Sequence, residues 1–486
     1  MQELTVGDRK LRTILRIFFF VFFGATLVYG LGPLIGPFQQ FFKQLPFVSN
    51  SVVKVGLISF LCLYAAADVR RRRNLVMVVI IAHLISLAAM AGFLLFLDTG
   101  VQVAIGPWEA SINSVLIGAM VLDGVIALIL LAFFLNARME KGFYRDQKTP
   151  GKDTVLTQPE RRLRRLIAAL GLLFSVAAVG YEVGPIFESS KSFFFDLLSK
   201  LPFFAEPKLF IELPFVSNSV VKTGALAVLC FYVAKNLRQN MSLISLLIAA
   251  HALSILALVV FLIAKSTSFA VELGPFELTM TQIMWGAAVV DGAIMVILFL
   301  SSRAAYKGRY QLKFFSPMQF RALIAVSDVV IHGDKEVILP WQIAANVDKI
   351  ISEIRAKRRW VHRMALMSLQ LHPLLYFKAP LSELSQAQRL AHLKKHFQRE
   401  VLFPDLPDWW RRLVQAIIRI GKQLSYVGYY NDPATFDSIG YKRFTERDRF
   451  RDLQEAGKIP EEREHPLQVD TPESIDSDVV ETEICI

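Results

Sequence analysis

Long apolar stretches alternate with short polar ones over the first three hundred residues, and the alternation stops near residue 313. Runs close to the roughly 20 residues that a bilayer-crossing helix needs lie at about 14 to 35, 52 to 69, 75 to 97 and 112 to 136. Four more lie at about 163 to 185, 220 to 236, 241 to 264 and 281 to 302. The pattern predicts an all-α polytopic membrane protein with eight transmembrane helices, followed by a small helical domain. The runs at 52 to 69 and 220 to 236 are the shortest and begin with Ser, Asn and Lys.

The eight runs fall into two sets of four. LPFVSNSVVK at Leu45 to Lys54 returns letter for letter at Leu213 to Lys222. The same 168-residue spacing relates His83 to His251, Gly106 to Gly274, Glu109 to Glu277 and Asp123 to Asp291. This predicts a first four-helix repeat over 1–137, a connector over 138–162 and a second repeat over 163–303. An even helix number gives both repeats the same topology, with any symmetry axis along the membrane normal. Gly and Pro pairs at Gly32–Pro33, Gly106–Pro107, Gly184–Pro185 and Gly274–Pro275 are expected to end helices at the outer interface. Between Glu188 and Glu212 the second repeat carries extra residues, including FFFDLLSKLPFF, suited to an amphipathic segment on the outer leaflet.

Composition agrees with the pattern, since 54% hydrophobic residues and 38 Phe exceed what a soluble globular chain carries. The net charge of +12 is mostly topological. Arg70 to Arg73, Lys235 and Arg238, the connector arginines, and Arg303, Lys307 and Arg309 mark loops on one side, which the positive-inside rule makes cytoplasmic. Both termini are expected in the cytoplasm of a bacterial inner membrane, and the charge is no argument for nucleic-acid binding. The basic N-terminus leads into a span that the repeat needs, so it reads as a signal anchor. Cys62 and Cys230 are a further matched pair, read as small apolar packing groups, and no metal-ligand spacing accompanies them.

Asp123 and Asp291 lie about halfway along their spans, where an unpaired carboxylate is costly. His83 and His251 lie at a depth that differs from theirs by one to two turns. They are the expected partners, with Ser86 and Ser254 on the same helix faces and Tyr64 and Tyr232 on neighbouring helices. Three readings stand side by side: polar packing glue, a quinone or proton-handling site, and one haem held between His83 and His251.

Past Lys313 the sequence predicts a helical soluble domain over 314–453 and a disordered acidic tail over 454–486. Gly428 is expected to end its last long helix. His332, His362, His372, His392 and His396 are scattered, and the pair His392 and His396 reads as a solvated helix face. The chain has no GxGxxG, GxxxxGK[ST], GxSxG or HExxH motif, so a catalytic subunit is not expected.

Three stretches carry a resemblance: FRALIAVSDVVIHGDKEVILPWQIAANVDKII, PLSELSQAQRLAHLKKHF and LSYVGYYNDPATFDSIGYKRF. Over roughly 317–450 the chain resembles the gluconate 2-dehydrogenase subunit 3 family and the helical accessory regions of long-chain alcohol oxidases. Tyr429, Tyr430, Asp432, Pro433, Ile439, Gly440 and Tyr441 are the most specific part. The resemblance implies a non-catalytic accessory to a separate FAD-dependent flavoprotein of the glucose-methanol-choline superfamily, with electrons passing to a membrane acceptor. Tyr429, Tyr430, Asp432, Pro433, Gly440 and Tyr441 would then face the partner. Fusion to membrane spans departs from the free-standing exported subunits of that family, and points to an anchor for a cytoplasmic flavoprotein. A proton-coupled small-molecule or lipid transporter with a regulatory domain is the alternative.

Overall fold

A computed structural model describes residues 5–34, 48–70, 72–96, 102–105, 108–139, 156–190, 216–263, 270–273, 276–331, 337–354, 356–397 and 408–436. The chain divides into two compact units, 1–311 with 377–379, and 312–376 with 380–486.

The first unit is built from α1 (Val6–Leu31), α2 (Val48–Ala67), α3 (Arg73–Phe96), α4 (Ile112–Met139), α5 (Gln158–Ser190), α6 (Val216–Lys235), α7 (Ile244–Ile263) and α8 (Met280–Tyr310). Six of the described helical stretches are long and apolar enough to cross a membrane: Val6–Leu31, Arg73–Leu95, Asn113–Ala137, Gln158–Gly180, Leu237–Ile263 and Thr281–Tyr310. Ser51–Ala67 is apolar but shorter. Their outer faces carry exposed Leu122, Leu128, Val176, Leu256, Val289 and Leu300, as lipid-facing helices do.

Packing follows one scheme in both halves of this unit. The helix α1 lies against α2 and α4, and α3 against α4, while α5 lies against α6 and α8, and α7 against α8. Between the halves, α2 meets α7 and α6, and α3 meets α6. Two glycines 168 residues apart admit the crossing helices. A β-carbon on Gly56 would come within 2.3 Å of Leu253 Cδ2, and one on Gly224 within 3.1 Å of Ile85 Cγ2. Small residues of this kind let membrane helices approach closely.

Two features depart from the expected architecture. Short antiparallel pairs, β1 (Gln102–Ile105) with β2 (Trp108–Ser111) and β3 (Ala270–Leu273) with β4 (Phe276–Thr279), precede α4 and α8. Of the Gly–Pro positions expected to end helices, Gly106, Pro107, Gly274 and Pro275 lie outside the described residues. Pro185 ends no helix, because α5 continues through it to Ser190. At Gly32 a long helix does stop, passing into a 3₁₀ turn over Gly32–Leu34. The amphipathic segment expected between 188 and 212 lies largely outside the described residues, and the acidic tail entirely so.

The second unit gathers α9 (Pro317–Val330), α10 (Pro340–Glu353), α11 (Ala356–Leu371), α12 (Gln386–Phe397) and α13 (Asp408–Tyr430). The helix α9 touches the other four and supplies Phe320, Ala322, Leu323, Ala325 and Val326 to the core. Ser316 and Gln319 form a capping box at its start. The buried Asp348 carboxylate of α10 accepts from the backbone N–H groups of Lys313, Phe314 and Phe315, which fixes the chain just ahead of α9.

Gly428 does not end α13, which runs on to Tyr430. A β-carbon there would stand 2.5 Å from the Ile343 carbonyl oxygen and 2.6 Å from Val347 Cγ2, so the glycine is required by the approach of α13 to α10.

Candidate functional site: two buried Lys–Ser–Asp–His clusters

The first cluster assembles from three helices. Asp123 of α4 is buried, and its Oδ1 lies 2.8 Å from His83 Nδ1 on α3. Its Oδ2 accepts from Ser86 Oγ, one helical turn beyond His83, and from Lys54 Nζ of α2 at 3.0 Å. Lys54 Nζ also donates to Ser86 Oγ at 2.6 Å. The lysine and the carboxylate offset each other's charge, and histidine and serine occupy the remaining carboxylate lone pairs. A buried ion pair holds only when such extra hydrogen bonds complete it.

The second cluster repeats the first. His251 Nδ1 on α7 lies 2.7 Å from Asp291 Oδ1 on α8. Lys222 Nζ on α6 donates to Ser254 Oγ at 2.7 Å and to Asp291 Oδ2 at 3.4 Å. Each histidine ring also faces a phenylalanine, Phe22 at 5.5 Å from His83 and Phe174 at 5.8 Å from His251.

With Nδ1 bonded to the aspartate, each histidine keeps a fully buried Nε2 that has no hydrogen-bond partner among the described residues. An axial ligand nitrogen needs open space for an iron beside it. In this fold both Nε2 atoms are buried.

Of the expected site residues, His83, Ser86 and Asp123 meet, as do His251, Ser254 and Asp291. Tyr64 and Tyr232 do not join them. Tyr64 lies ten residues beyond Lys54, about 15 Å along α2 at helical rise. There its ring faces the Arg72 guanidinium at 5.2 Å and its carbonyl accepts from Arg72. The Tyr232 carbonyl likewise accepts from Asn240 Nδ2 at 3.1 Å, the position matching Arg72. Cys62 and Cys230 are free and buried.

The sequence reading missed the lysines, which complete both clusters. It also missed a second pair of buried acids. Asp8 of α1 accepts from Arg70 Nε at 3.2 Å, and Glu160 of α5 accepts from Arg238 Nη2 at 2.9 Å. Arg70 and Arg238 are 168 residues apart, but Asp8 and Glu160 are only 152 apart. Each acid sits three residues after a threonine, Thr5 or Thr157, whose hydroxyl accepts from the acid's backbone N–H.

In the helical unit, Tyr429 is buried with Ile331, Ile338 and Ile343. Asp432 caps a 3₁₀ turn over Pro433–Thr435 and accepts from Asn346 Nδ2 at 2.8 Å. Thr435 Oγ1 donates to the Tyr429 carbonyl at 2.9 Å. Tyr429, Asp432 and Thr435 thus build the corner, with Tyr429 buried and Pro433 exposed beside it. Tyr430 is 51% exposed and stacks on Tyr426 with centroids 5.9 Å apart. Gly440 and Tyr441 lie outside the described residues.

His392 is not on a solvated face. It is buried, and its Nε2 lies 2.9 Å from His372 Nδ1, with the Tyr376 ring edge-on to it at 5.5 Å. Burial lowers the pKa of His372 below the ordinary histidine value. Among the described residues no group of three His, Cys, Asp or Glu side chains is placed to hold a metal ion.

Compared with protein-family models, curated proteins and solved structures, the chain matches none. The class that the apolar helices define is a multi-pass helical membrane protein with a second, helical unit.

Proposed function

We propose that the chain is a membrane-anchoring accessory subunit that holds a separate FAD-dependent flavoprotein of the glucose-methanol-choline type at the cytoplasmic face of a bacterial inner membrane. The observation that carries this reading is the corner at the end of α13. Tyr429, Asp432 and Thr435 are tied to α10 and to one another, so Tyr430 stands on a rigid support with Tyr426 stacked beneath it. A pre-organised exposed aromatic of this kind suits an interface anchor. The resemblance of 317–450 to subunit 3 proteins supplies the class of partner, and the membrane helices supply the attachment.

In this proposal all eight long helices span the bilayer as two tandem four-helix repeats about a pseudo-twofold axis. The reciprocal crossings at Gly56 and Gly224 and the duplicated clusters support it. Basic Arg70, Arg238 and Arg309 put both termini in the cytoplasm. The test is capture: Tyr430→Asp with Tyr426→Ser should release the flavoprotein from the tagged chain while the protein still elutes as one species. Retention of the flavoprotein by that variant would refute the interface.

A second reading is favoured by the clusters themselves. A lysine, a carboxylate and a histidine inside an apolar bundle form the kind of group that proton-coupled transporters use. Under that reading Asp123→Asn with Asp291→Asn abolishes proton-coupled uptake in proteoliposomes and leaves flavoprotein capture untouched.

A further inference from the structure

The helix α11 is apolar on two sides. Ala365, Leu366 and Leu369 are buried in the helical unit, whereas Trp360, Met364 and Leu371 project from the opposite side, with Trp360 64% exposed. Spacings of four and seven residues put these three on one stripe. The stripe continues into the 3₁₀ turn His372–Tyr376, where Leu375 is 57% exposed. Lys357, Arg358 and Arg359 immediately precede Trp360 in sequence.

Two residues past Leu375, the chain joins the membrane-helix unit. Residues 377–379 belong to that unit, and the Phe377 ring lies 5.2 Å from Phe20 and 6.2 Å from Phe23 of α1. Phe377 holds a φ of 50°, a left-handed conformation that side chains with a β-carbon adopt at a cost. Phe20 follows the basic run Arg9 to Arg16 by four residues, within the apolar part of its helix. The helical unit is also tethered closely at its other end, since only residues 311–316 separate α8 from α9. Six residues span at most about 20 Å.

From this we propose that the α11 stripe, Trp360, Met364, Leu371 and Leu375, is a lipid-docking surface that lies in the headgroup region of the anionic leaflet beneath the helical unit. Tryptophan and leucine on one face, preceded in sequence by a basic run, suit the bilayer interface, and lysine and arginine are attracted to anionic headgroups. Phe377, two residues further on in the chain, packs within the membrane-helix unit against Phe20 and Phe23 of α1. The proposal is independent of the flavoprotein reading, because it concerns lipid alone.

The test uses the full chain in nanodiscs of mixed zwitterionic and anionic lipid, with Cys485→Ser and a fluorophore on Met364→Cys; Cys62 and Cys230 are buried. Lys394→Cys on α12, at an exposed position, is the comparison. A nitroxide carried on the lipid just below the headgroup should remove most of the emission at position 364 and little at 394, and dissolved iodide should do the reverse. Iodide quenching that is equal at the two sites would overturn the proposal. So would shielding of position 364 from both quenchers, which would mean that protein, a second copy or a partner, covers the stripe. Loss of the lipid quenching in nanodiscs without anionic lipid would add the role of the cations, and its persistence would confine the docking to the apolar stripe.

Discussion

Asp123 is held between Lys54 and His83, and removing either leaves a buried group short of a partner. Breaking a buried pair from one side costs about 3–5 kcal/mol, because the remaining charge has neither water nor counter-ion. Lys54→Met should therefore destabilise the bundle by about that amount, and Lys54→Met with Asp123→Asn should recover a large part of it. Thermal unfolding of the two variants in detergent would check this, and equal losses would mean that the pair is not coupled. At the His372–His392 contact, burial favours neutral His372 in the folded unit. The unfolded chain then binds more protons near and below the ordinary histidine pKa of about 6.5. That contribution is fully present above this pH and declines as pH falls below it, so the helical unit should melt at lower temperature at pH 5.5 than at pH 7.5. His372→Asn should reduce that difference, as intrinsic fluorescence would report. The histidines and aspartates of the membrane clusters were legible because polar residues inside apolar runs demand partners, and the constant 168-residue spacing paired them. The lysines were not, because each lies near the polar start of a short span, in SNSVVK, and so reads as a helix end rather than as part of the interior.

Helix boundaries follow the apolar pattern, since each predicted span lies on a helix, although α1 begins eight residues before its apolar stretch and α8 extends eight residues past its own. What escaped the pattern has physical causes. Four-residue strands such as QVAI and WEAS are too short to show an alternation. The buried acids Asp8 and Glu160 were hidden because the second half carries sixteen extra residues between its acid and the repeated LPFVSNSVVK, which breaks the common spacing. Close helix crossings are invisible in a single sequence, since a glycine at a crossing and a glycine facing lipid read alike. Gly428→Ala puts a methyl group against the backbone of α10, so overpacking of about 1–3 kcal/mol should exceed the gain of up to about 1 kcal/mol in helix propensity. Gly118→Ala, with no atom within 4 Å of its added carbon, should be neutral or stabilising. A denaturant series on both variants checks the contrast, and an equal response would remove the packing argument for α13 on α10.

At the scale of the molecule, a membrane bundle with two self-contained ion clusters is joined by a short link to a helical unit that presents a rigid tyrosine corner. The clusters are satisfied internally apart from one nitrogen on each histidine, which suits a bundle that serves as an anchor. The experiment that tests the accessory role most directly is purification of the tagged full chain from its native cell in mild detergent, with a visible spectrum and mass spectrometry on the same sample. The proposed role predicts a co-purifying flavoprotein with FAD absorption bands that disappear in the Tyr430→Asp, Tyr426→Ser variant. A colourless chain that elutes alone under conditions that preserve weak complexes would contradict it.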